Sequence, residues 1–143
     1  MGQCLGDGIG CAPTIVLAQA AVCAFLAILF LQSGLDKVFD WKGNVDWLTG
    51  HFSKSPLAGF VAPMVAVITL FEVAAGVLCA IGVLEVLFSA SRAMAIAGVL
   101  LSAASLLQLF FGQRIAKDYA GAAVLVPYFV VTLVGLYLLS LPR

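Results

Sequence analysis

The chain has one histidine, His51, among 143 residues, and that scarcity removes a large block of chemistry. A multi-histidine metal site or a bis-histidine haem cannot be assembled within it. Haem, flavin and iron–sulfur motifs are missing too, so no intrinsic cofactor is expected, and any electrons would need a partner or a bound quinone. Charge is nearly as scarce: seven Lys and Arg stand against seven Asp and Glu, for a formal net charge of zero. No basic surface of the kind that binds nucleic acid can form from so few cations. The opening stretch, MGQCLGDGIGCAP, holds no Lys or Arg, so it lacks the charged region of a secretory signal and the first apolar run is expected to be retained. Residue 6 is glycine where a myristoylation pattern needs Ser or Thr.

What remains is apolar. Hydrophobic residues make up 64% of the chain and charged ones 10%, with a mean hydropathy of +1.17, which excludes a soluble globular domain and puts the chain in lipid. Four continuous apolar runs lie near residues 14–33, 57–84, 92–112 and 120–141. Each reaches the roughly 20 residues that a helix needs to cross a hydrocarbon core about 30 Å thick. Barrel strands would instead alternate over about ten residues between turns. Short links make consecutive helices antiparallel, so the expected fold is an all-α integral membrane protein, an antiparallel four-transmembrane-helix bundle over residues 14–143 behind a flexible tail at 1–13.

Boundary residues refine this. Ser55 followed by Pro56 reads as an N-cap with proline at the first helical position, opening the second span. That span is long enough to require tilt, a headgroup segment or a bend at Pro63, and Pro127 predicts a kink in the fourth. Gly76 with Ala80, and Gly98 with Ser102, are small pairs four apart that let backbones approach, either within the bundle or along a homodimer seam. Cys23 and Cys79 fall inside spans and read as packing residues. Cys4 and Cys11 flank a glycine-rich hexapeptide; they form a local disulfide if the terminus is in an oxidising compartment, and stay free thiols otherwise.

Lys37, Lys42, Lys54, Arg114 and Lys117 fall on one side of the membrane and only Arg92 and Arg143 on the other, which places both termini away from the cytoplasm. In the first link, Trp41 and Trp47 belong at headgroup level. Residues 44–52 are expected to form a short surface helix carrying a solvated His51.

Glu72 is the ionisable residue deepest in a span, and a carboxylate there must be protonated, paired or turned to a wet cavity. The side that collects Lys37 also collects Gln32, Ser33, Asp36, Gln108, Gln113, Arg114, Lys117, Asp118 and Tyr119. Lys37 has a flexible stem that can reach toward Glu72, making the charged end of the first helix the wall of a polar pocket with Glu72 as its floor. Ser33, Asp36, Lys37, Glu72, Gln108, Arg114, Asp118 and Tyr119 are the candidate ligand-binding residues; no catalytic or metal-binding set emerges. Such a pocket suits a quinone head group or a proton path, or else holds four helix ends together.

The stretch FLQSGLDKVFDW resembles the Ser-Gly-x-x-Lys signature that ends the first helix in the DoxX family. LFEVAAGVLCAIGVL resembles that family's second helix, and GQRIAKDYAGAAVLVPYF the link before the last helix of a DoxX-like branch. The similarity runs from residue 20 to 139, and Ser33, Gly34, Lys37, Glu72 and Gly76 fall on motif positions. The chain departs at its start, where members commonly carry an arginine and it carries the cysteine-flanked tail. The resemblance implies a small multi-pass protein of the prokaryotic inner membrane. It further implies an accessory subunit of a membrane redox or respiratory complex that binds quinone or lipid near Glu72 and is not catalytic on its own. Alternatives are a membrane component of a thiosulfate:quinone-type oxidoreductase and a stand-alone small transporter or lipid-binding protein. No internal repeat of the kind common in transporters is visible.

Overall fold

The computed structural model describes residues 11–142. Five helices follow in order: α1 (Cys11–Phe39), α2 (Trp41–His51), α3 (Val61–Phe88), α4 (Ala93–Ile115) and α5 (Tyr119–Ser140). All but α2 are long and apolar enough to cross a membrane, and the architecture is a helical membrane bundle. Around the ring each long helix runs antiparallel to its neighbours. Gly34 of α1 faces Val73 and Leu31 faces Gly76 of α3; Gly82 of α3 faces Ala95 and Cys79 faces Gly98 of α4; Val22 of α1 faces Gly135 of α5. The core between them is built from Cys23, Leu26, Phe30, Cys79, Val99 and Leu139, all buried, with Cys23 and Cys79 as free thiols.

Two boundaries differ from the sequence reading. Helix α1 does not stop where its apolar run stops; it continues through Ser33, Lys37 and Phe39, because Lys37 folds inward while Asp36 and Asp40 stay exposed. The start of α3 moves in the other direction. Ser55 does not cap it: the Ser55 hydroxyl accepts from the Leu57 backbone N–H at 3.2 Å, closing a local turn, and the helix opens only after Phe60. Pro63 then sits in the first turn, where its missing N–H has no partner to lose, so no bend is needed there. At 28 residues α3 is about 42 Å long, so it tilts or enters the headgroups. Pro127 lies inside a continuous α5. The helix also takes in residues 11–13, previously assigned to the tail, and the Cys4–Cys11 pairing lies outside the described residues.

Helix ends away from Lys37 are tied by polar side chains. Glu85 Oε2 accepts from the backbone N–H groups of Met94 at 2.8 Å and Ala95 at 3.1 Å, supplying the acceptor that the start of α4 lacks. Arg92 Nη1 donates to the Leu141 carbonyl and Gln19 Nε2 to the Leu138 carbonyl, each at 2.6 Å, which satisfies the last turn of α5.

Candidate functional site

The α1–α3 crossing is close because it is lined with glycine. A Cβ on Gly76 would stand 2.8 Å from the Leu31 backbone nitrogen, and one on Gly34 would stand 2.7 Å from Val73 Cγ2. At Gly76 a Cβ would force the two backbones apart, and at Gly34 it would displace the Val73 side chain and crowd its backbone nitrogen at 3.2 Å, so the crossing is closest where there is no side chain. The near approach brings Glu72 of α3 against Ser33 and Lys37, which are four apart and therefore on one face of α1.

Lys37 Nζ donates to Glu72 Oε2 at 2.9 Å, to Ser33 Oγ at 2.8 Å and to the Ser33 carbonyl at 3.2 Å. The Ser33 hydroxyl in turn donates a hydrogen bond to Glu72 Oε1 at 3.1 Å. All three ammonium protons and both carboxylate oxygens are thus engaged. The Glu72 side chain is 1% exposed and that of Lys37 is 15% exposed, so the carboxylate is sealed and the cation lies toward the rim. The result is a neutral, hydrogen-bond-complete unit, the form in which a charge deep in a bundle is tolerable.

Two cavities adjoin it. An inner one of about 80 Å³ is lined by Lys37 of α1, by Leu48 and Phe52, by Met64, Val65 and Ile68 of α3, and by Gln108, Leu109, Gly112 and Gln113 of α4. A larger, open-sided groove of about 400 Å³ runs between the start of α3 and the end of α4 past Leu57, Phe60, Pro63, Val67 and Phe111. It shares Met64, Ile68, Gln108 and Gly112 with the inner cavity. Glu72 lines neither, so it is not the expected pocket floor, and of the ion pair only Lys37 reaches the inner cavity.

The candidate residues separate accordingly. Ser33, Lys37 and Glu72 form one unit, and Gln108 faces both cavities. Asp36 is exposed, contributing its carbonyl to Asn44 Nδ2 at 3.4 Å. Arg114 lies over the exposed Tyr119 ring at 4.6 Å, outside the cavities. Asp118 caps α5, accepting from the Gly121 backbone N–H at 2.8 Å.

A second polar cluster, centred on His51, was not anticipated. Its Nε2 lies 3.1 Å from Gln113 Oε1 and 3.6 Å from Asp118 Oδ2, and its ring stacks on Trp47 at 5.0 Å and 12°. His51 is thereby a joint between α2, the last turn of α4 and the α4–α5 link, and not a freely solvated side chain. The available signal was local: Trp47 and His51 are four apart on one face of α2. Next to this joint, Phe52, 4% exposed, packs over Gly112, where a Cβ would sit 3.6 Å from its ring, and both residues line the inner cavity.

Among the described residues no three His, Cys, Asp or Glu side chains gather to hold a metal. Comparison with known protein families, curated proteins and solved structures gives no significant match.

Proposed function

We propose that this chain is a small accessory subunit of a membrane redox complex of the prokaryotic inner membrane, with both termini outside the cytoplasm. In this reading it holds a lipid-soluble ligand, a quinone or a membrane lipid, beside the Ser33–Lys37–Glu72 unit. One observation carries it: Lys37, saturated and neutralised by Ser33 and Glu72 behind it, lines a cavity that adjoins a groove of about 400 Å³ on the side of the bundle. Ligand sites in membrane bundles are commonly of this kind, mostly apolar with a few placed polar groups. The DoxX resemblance adds support, because the matching residues Ser33, Gly34, Lys37, Glu72 and Gly76 make a single contact: the glycines permit the approach and the other three fill it.

Purification from native membranes in mild detergent, with mass spectrometry of the proteins and extraction of the lipids, tests both halves. The expected outcome is a stoichiometric redox partner and an enriched lipid-soluble ligand. A chain that purifies alone refutes the subunit, and one that carries only bulk lipid in bulk proportions refutes the site.

A further inference from the structure

The polar atoms that face the inner cavity determine which head group it can take. Lys37 brings no free charge: its three protons are committed to Ser33 and Glu72, and the carboxylate 2.9 Å away cancels it. Gln113 gives its oxygen to His51, which leaves its amide N–H groups unengaged among the described residues. The Gln108 amide makes no hydrogen bond there either, and it stands where cavity and groove meet. The rest of the lining is Leu, Val, Ile, Met, Phe, Pro and Gly. An anionic head entering here would exchange its hydration for apolar walls and no free cation, a large cost. A neutral head that accepts hydrogen bonds meets amide donors otherwise unused, and a long apolar tail matches the groove.

We infer that the site selects an uncharged lipophile: its carbonyl or hydroxyl head is held by Gln108 and Gln113, its tail lies in the groove between α3 and α4, and anionic phospholipids are rejected. The inference rests on the reading of the groove as a ligand site. Quinones and acylglycerols share this head-group chemistry.

The test uses the full chain in phosphatidylcholine nanodiscs with three diazirine probes: a long-chain quinone analogue, a diacylglycerol analogue and phosphatidylglycerol. Cross-links are mapped by mass spectrometry. At least one neutral probe is expected to label residues 57–68 and 108–113, and competition between the two neutral probes shows which source is preferred. Phosphatidylglycerol is expected to label them about tenfold less. Gln108→Leu removes a hydrogen bond and lowers neutral labelling about five- to tenfold. Gln108→Lys supplies the missing free cation and raises phosphatidylglycerol labelling about tenfold, a gain that a misfolded variant cannot produce. Equal labelling by phosphatidylglycerol in the unaltered chain overturns the head-group selection and leaves the ligand site standing. Failure of all three probes to label either segment overturns both.

Discussion

Removing the two partners of the buried ion pair one at a time should give unequal penalties. Lys37→Met leaves the Glu72 carboxylate, 1% exposed, with only Ser33 as donor. A buried charge stripped of its partner costs about 3–5 kcal/mol, whether it stays ionised or takes up a proton. Glu72→Gln leaves the mirror situation on a side chain that is 15% exposed and has a long stem. Lys37 can then swing toward the headgroups, so the loss is closer to that of its hydrogen bonds, about 1–2 kcal/mol. The double variant, Lys37→Met with Glu72→Gln, removes both charges and should be about 2 kcal/mol more stable than the two single losses added together. Reversible unfolding in mixed micelles of dodecyl maltoside and SDS, followed by circular dichroism, measures all three. Additivity within about 0.5 kcal/mol, or a larger loss for Glu72→Gln than for Lys37→Met, would refute the account of the pair as one neutral unit with a sealed anion.

The glycine contacts make a graded series in the same assay. Gly76→Ala pushes on the Leu31 backbone and should cost about 1–3 kcal/mol, whereas Gly50→Ala, with nothing within 4 Å inside α2, should be neutral or gain about 0.5 kcal/mol. Glu85→Ala removes the acceptor at the start of α4; a loss of about 1–2 kcal/mol and faster hydrogen exchange at Met94 and Ala95 are expected. Asp118→Ala takes away the α5 cap and one partner of His51, with a loss of about 1 kcal/mol and a changed Trp47 emission from the loosened stack. Unchanged exchange at Met94 and Ala95, or unchanged emission, would contradict these two assignments.

The bundle was legible because lipid imposes a crude rule: long apolar runs become helices, and four of them close on one another. Boundaries were less legible, because a run ends in composition before it ends in backbone. Lys37 is charged yet helical, its charge disposed of by a residue on another element. Ser55 carried a genuine capping chemistry, spent on a turn and not on the helix it precedes. Within the site, Lys37 reaching Glu72 follows from stem length and antiparallel order, both readable from the chain. That Glu72 faces away from the cavity, and that Asp36, Arg114 and Tyr119 stay outside it, depends on helix rotation, to which a segment apolar all round gives no clue. His51 was missed because its partners are distant in the chain: Gln113 lies within α4, beyond α3, and Asp118 lies beyond both α3 and α4.

The ion pair between α1 and α3 also bears on how the bundle meets an electric field. One elementary charge crossing the whole membrane gains about 2.3 kcal/mol per 100 mV. Opposite charges 2.9 Å apart span about a tenth of the hydrocarbon thickness, so the pair couples to a resting potential by about 0.2 kcal/mol at most. Voltage therefore has almost no handle on this seam, and the seam holds equally in energised and depolarised membranes.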